Sequence, residues 1–409
     1  MAAAAPPAAV PSIRERVAAQ GKRIKRVKML DRFAVGFITA GGLFIIVAVL
    51  FIFVFILGES LPLFRSASGA SRGTVNLSAV PPMEASVSEL SPSVSPSPSA
   101  TTPASAVPPS ATSPAVADFK PLVLGIDEYQ MYFYEILADG RTVFFKASDG
   151  AFAKQLPLGA LAGATIRSAS RSLMGESVAL GTSDGRVSLQ QVRFTPRYEE
   201  QKLVDLDIAV RDRGLVELDP AKRELRDVAY EENDGRKSVA AIVGDTEVLV
   251  WRTDDEGVEH RATLQTQDGE KVTRVRLGRS DTLIASTVKG NLYHWELTPE
   301  VRLTEVAHVS EEPITAVEYI LGGITAIVGD AKGNLGGWFR VRLKEEDTDL
   351  RFVKAHTYPP QGVAINAIGA STRDKSFVTA GADGSLVLRH MTSERSVIAF
   401  PATGQAVDS

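Results

Sequence analysis

The chain has 409 residues, 45 Lys and Arg against 49 Asp and Glu, a formal net charge of −4 and no cysteine. The absence of thiols excludes a disulfide framework and thiolate chemistry, and the mildly acidic balance gives no support to nucleic-acid binding. Residues 1–32 run against that balance: Arg14, Arg16, Lys22, Arg23, Lys25, Arg26, Lys28 and Arg32 face only Glu15 and Asp31.

An uncharged apolar run follows, from Phe33 to Leu57, 25 residues long. At a rise of 1.5 Å per residue it reaches about 37 Å as a helix, enough to cross a hydrocarbon core of about 30 Å with some tilt. A lone helix satisfies its own backbone amides in lipid. The flank beyond it, with Glu59, Arg65 and Arg72, is nearly neutral. Retention of positive charge on the cytoplasmic side therefore predicts a cytoplasmic tail at 1–32, a transmembrane helix at 33–57 and everything later outside. A cleaved signal peptide is the rival reading. Its apolar region is usually about 7–15 residues, shorter than this run, and it rarely follows so long a leader. Gly36, Ala40 and Gly41 form a small-residue face on which another helix could pack.

Residues 58–117 are rich in Ser, Ala, Pro and Thr, and no charge occurs between Glu89 and Asp118. So few large apolar groups cannot offset the entropy of ordering, which predicts a disordered linker. Asn76-Leu77-Ser78 within it is formally a glycosylation acceptor.

From Asp118 to the C-terminus the composition is globular and repetitive. Short apolar runs, small-residue turns and alternating strands recur at Leu137–Phe145, Val178–Gln190, Ala240–Trp251, Ile284–Trp295, Ala326–Trp338 and Phe377–Arg389. Six residues after Asp139, Asp184, Asp245, Lys289, Lys332 and Asp383 stand Phe145, Gln190, Trp251, Trp295, Trp338 and Arg389, so all three tryptophans share one register. Intervals of 45, 61, 44, 43 and 51 separate those positions. Asp-Gly or Lys-Gly between apolar runs supplies the positive φ angles of tight hairpins, and alternation such as Val187 and Leu189 buries one strand face. A period near 44 with one hairpin per unit predicts an all-β, WD-repeat-like β-propeller over 118–409. A β-sandwich would give closely spaced turns without the long period. Six blades are recognisable, either a ring of six or an incomplete seven, because Ser393–Phe400 reads as the end of one unit leading into another.

Candidate chemistry is sparse. The histidines, at 260, 294, 308, 356 and 390, lack the spacing of zinc motifs. Gly181-Thr182-Ser183-Asp184-Gly185 matches the nucleophile-elbow pattern, but a strand-like segment follows where that motif needs a helix, so Ser183 is expected in a turn. The acidic clusters Asp254-Asp255-Glu256 and Lys344-Glu345-Glu346-Asp347 lack the calcium-loop pattern and read as solvated loops. No P-loop or dinucleotide fingerprint occurs. No catalytic, metal or cofactor residue is expected, no enzyme is expected, and no substrate-binding residue can be assigned.

Taken in order, Asp31–Phe64 with its Pro-Leu-Phe, Leu122–Phe145, Val178–Phe194 and Thr392–Ser396 resemble the N-terminal part of the phosphate ABC transporter permease family, PstC, in its proteobacterial form. That form carries a large periplasmic propeller-like insertion after its first membrane helix. The resemblance implies an accessory portion of a phosphate import system in the bacterial inner membrane. It also implies partner permease subunits, an ABC ATPase and a periplasmic phosphate-binding protein. The further membrane helices of such permeases have no counterpart here, since nothing after Phe64 is apolar for long. An unrelated membrane-anchored scaffold or envelope assembly factor is the other reading of the same parts.

Overall fold

The computed structural model describes residues 12–61, 69, 75, 77, 80–81, 121–159, 161, 163–172, 176–233, 235–279, 281–346 and 349–404. These fall into two units, divided between Ser68 and Gly69.

The first unit is one helix, Ile13–Ser60, 48 residues long. It begins about twenty residues before the apolar run because the basic segment holds no proline after Pro11 and is rich in Ala, Arg and Lys, all good helix formers. Ser12 and Glu15 close the start as a capping box, each side chain bonding the other's backbone N–H. Within the apolar run the Thr39 hydroxyl donates to Val35 O at 2.8 Å, so the stretch presents no unpaired hydroxyl to lipid. Every large apolar side chain from Phe33 to Leu57 is exposed within the chain. The helix is thus long and apolar enough to cross a membrane, by length and composition.

The second unit is a six-bladed β-propeller. Blades 1 to 6 occupy residues 121–157, 166–217, 225–265, 272–308, 314–358 and 365–400, and each is a four-stranded antiparallel sheet whose strands pair in chain order. The six hairpins expected from the repeat are the second and third strands of the six blades. Phe145, Gln190, Trp251, Trp295, Trp338 and Arg389 all stand on third strands, opposite Phe133, Val178, Val239, Leu283, Ala326 and Phe377. In every blade but the third a β-bulge in the pairing of the third and fourth strands falls at this position. The repeat of 61 residues is blade 2, whose third and fourth strands, Arg186–Glu199 and Lys202–Glu217, run on as a long outer hairpin.

Apolar cores lie between blades rather than within them. Five clusters each join two successive blades, from blades 1 and 2 through to blades 5 and 6. The forward face of the second strand enters these cores through Tyr134, Ala179, Ala240, Ile284 and Ile327, all buried. The equivalent residue of blade 6 is Val378, and it is 36% exposed. The backward face of the first strand is buried at Val228, Val275 and Val317, whereas its equivalent in blade 1, Leu124, is 63% exposed. A sixth cluster seals blade 1 from behind, and blade 6 takes no part in it. Leu137, Val143 and Phe145 are covered by Val75, Leu77 and Val80, which precede the propeller by some forty residues.

Those three residues fall within the stretch expected to be a linker. Most of 58–117 lies outside the described residues, as do Asn76 and Ser78 of the glycosylation motif. Of the part that is described, Gly69, Val75, Leu77, Val80 and Pro81 belong with the propeller. The composition is poor in apolar groups on average, but three of them at short spacing meet a sheet face that no blade covers.

Candidate protein-binding cleft

The strongest departure from blade symmetry is in the third strand of blade 5, Leu335–Val341, where Gly336 and Gly337 precede Trp338. Blade 4 has Tyr293 and His294 before Trp295 at the same register. There the Tyr293 and Trp295 rings stack, with centroids 5.5 Å apart and planes at 17°, and both are buried in the core shared with blade 3. The Tyr293 hydroxyl accepts from Gln267 N at 3.1 Å. In blade 5 the tyrosine ring is replaced by a hydrogen atom, and a cleft of about 490 Å³ opens on that side of the blade.

Trp338, Val328, His308, Glu311, Glu312 and Lys332 line it. Trp251 and Trp295 are buried, but Trp338 is half-buried and packs only its edge into the core between blades 4 and 5. Its indole lies over Gly336: a Cβ there would stand 2.9 Å from Nε1 and 2.9 Å from Lys354 Cε. The glycine is therefore what makes room for the ring's present position.

The polar wall is fixed by local bonds. Asp330 is buried and accepts from the Lys332 and Asn334 amides, each at 2.9 Å, from Asn334 Nδ2 at 2.9 Å and from the Ser310 hydroxyl at 2.8 Å. Burial alone would raise its pKa, but the bonds from Asn334 and Ser310 outweigh that and hold the carboxyl below its ordinary value. Lys332 pairs with Glu312, which raises the lysine's pKa. His308 sits between Asn291 Oδ1 at 3.0 Å and Glu311 at 3.4 Å. The result is an aromatic floor with carboxylates and lysines around it. Ser310 supplies the fourth bond to the Asp330 carboxylate, so it is a fixture of the turn.

Nearer the axis, one arginine ties three blades together. Arg276 of blade 4 bonds Asp227 of blade 3 at 3.0 Å and Glu318 of blade 5 at 2.7 Å. Asp227 also accepts from Val275 N at 2.8 Å. Burial opposes the guanidinium charge, but the two carboxylates more than restore it.

The residues singled out in the sequence are scattered. Ser183 lies in the turn before the third strand of blade 2, its amide bonded to Thr165 O at 2.9 Å, and a strand follows it. His260 bonds Asp254 at 2.8 Å and His356 bonds Glu394 at 2.9 Å, and His390 bonds Thr392 at 3.2 Å. His294 is buried and bonds Thr304 at 2.6 Å. Asp254 closes the turn between the last two strands of blade 3 by accepting from the Glu256 and Val258 amides. Among the described residues no group of three His, Asp or Glu gathers in a way that could hold a metal. The cleft was missed in the sequence, although its signal is there: in Asn334-Leu335-Gly336-Gly337-Trp338, glycines replace two residues that are large in most other repeats.

No family model matches this chain, and no curated protein matches it. Among solved structures it is similar to the β-propeller domain of Cps50 (Swd1) from Myceliophteria thermophila, at 16% identity and a TM-score of 0.50, covering 70% of this chain and 87% of that one. It is also similar to the computationally designed Ika8 protein, at 14% identity and a TM-score of 0.49, covering 71% and 90%. At such identity the likeness extends to the fold alone. The fold is a WD-repeat-like β-propeller.

Proposed function

We propose that this chain is an accessory, membrane-anchored portion of an ABC-type phosphate import permease, holding protein partners on a periplasmic propeller. The observation that carries the anchor is the apolar run at 33–57, exposed along its whole length and preceded by eight basic residues. Its cationic flank favours a cytoplasmic N-terminus in the bacterial inner membrane. The transport assignment is supported by the order of motifs shared with the phosphate permease family. A single helix encloses no polar route, so phosphate passes through partner subunits and not through this chain. The small-residue face of Gly36, Ala40 and Gly41 suits packing against a helix from such a subunit. The cleft beside Trp338 is the surface we assign to a protein partner, with a phosphate-binding protein as the partner the family resemblance suggests.

Deletion of the coding region with its neighbours intact tests the transport reading: phosphate uptake under starvation should fall. Unchanged uptake would contradict it and favour the second reading, a membrane-anchored scaffold unconnected with phosphate. The Trp338 cleft favours neither over the other, since both need a protein-binding surface.

A further inference from the structure

We infer that Gly69, Val75, Leu77, Val80 and Pro81 act as a clasp that closes the propeller between blade 6 and blade 1.

The argument begins with the five cores shared by successive blades. A closed ring of six needs six, and among the described residues none joins blade 6 to blade 1. The faces left over are apolar: Leu124 and Ile126 on the first strand of blade 1, Val378 and Phe400 on blade 6, all exposed. Blades 6 and 1 still meet at one loop end, where Arg373 donates to Glu128 O at 3.1 Å. The ring therefore bends round to its start, and what it lacks is packing in the seam.

The clasp supplies that packing on the outer strands. Phe145 occupies the register where Trp251 and Trp295 face the preceding blade, so its ring points into the seam, stacked on Phe133 at 5.1 Å. Val75, Leu77 and Val80 cover it in place of a preceding blade, and Val80 is only 6% exposed. Two bonds pin the end of the segment: Arg141 Nη1 and Gln155 Nε2 both donate to Pro81 O, at 3.3 and 3.0 Å. At its other end Gly69 lies against blade 6, where a Cβ would stand 2.9 Å from the Phe400 ring and 3.2 Å from Ile398. Gly69 and the residues from Val75 to Pro81 that are described thus touch both sides of the seam.

A covalent trap tests this in the full chain, whatever the strength of the contact. Phe400, partly exposed already, is replaced by photoreactive p-benzoylphenylalanine, and a site-specific protease sequence is inserted after Ala100. Membranes carrying the protein are irradiated, cleaved and run on a denaturing gel. The clasp predicts that fragments 1–100 and 101–409 stay joined, with the link mapping by mass spectrometry to the residues around Gly69. Adding Val80→Asp and Leu77→Asp should abolish the joined band. The same photoprobe at Tyr198, on the outer hairpin of blade 2, should give none. Complete separation of the two fragments with the probe at Phe400, or equal joining from Tyr198, would overturn the inference. Neither result bears on whether phosphate is transported.

Discussion

His294 shows how one buried group sets a pH dependence. Its Nδ1–H donates to Thr304, whose own hydroxyl proton goes to His294 O. Burial, then the nearby Arg340 charge, depress its pKa to about 3, so the ring stays neutral in the fold. The unfolded chain binds a proton there below pH 6.5 and the folded chain does not. Stability therefore falls as pH drops from about 6.5 towards 3, by up to about 5 kcal/mol from this group. Urea unfolding across that range should show the loss in the wild type, and His294→Asn, which keeps a donor but does not titrate, should lack it. Parallel curves would remove His294 as the cause. Arg276 acts differently, since its removal leaves two carboxylates facing each other without a cation. Arg276→Met should cost about 3 kcal/mol of unfolding free energy, and adding Asp227→Asn and Glu318→Gln should recover most of it.

At the scale of elements, the third strand carries both the regularity and the exception. Its register was legible in the sequence because hairpin turns and tryptophans recur together, and the physical cause is that each ring must face the preceding blade. The helix extension to Ile13 was hidden by charge, which marks sidedness strongly and helix propensity weakly. The clasp was hidden because its apolar residues are few and their value depends on a sheet face distant in sequence. The cleft was written in two glycines whose meaning needs the neighbouring blade's Tyr293 beside them. Trp338 is the one half-buried indole, so Trp338→Ala should remove most of the acrylamide-quenchable emission, because Trp251 and Trp295 are buried. Gly336→Val should displace the indole and weaken partner binding while leaving the unfolding midpoint within a few degrees. In the helix, replacing Val47 and Ile52 by Arg adds roughly 2.5–3.5 kcal/mol each near the bilayer centre. The double variant should leave the membrane fraction, and its retention there would count against a spanning helix.

For the whole molecule, a helix with no apolar cover and a propeller with an aromatic cleft are two binding surfaces on one chain. The proposed function places the first in the bilayer and gives the second to a protein partner on the periplasmic side. The most direct test uses the chain's lack of cysteine, which leaves single introduced thiols as the only labels. Arg14→Cys and Glu311→Cys both place a thiol at an exposed position. With the outer membrane permeabilised and the inner membrane intact, a membrane-impermeant maleimide should label the Glu311→Cys protein at once, and the Arg14→Cys protein only after lysis. Labelling of the Arg14→Cys protein without lysis, or protection of the Glu311→Cys protein until lysis, would contradict an anchored periplasmic propeller.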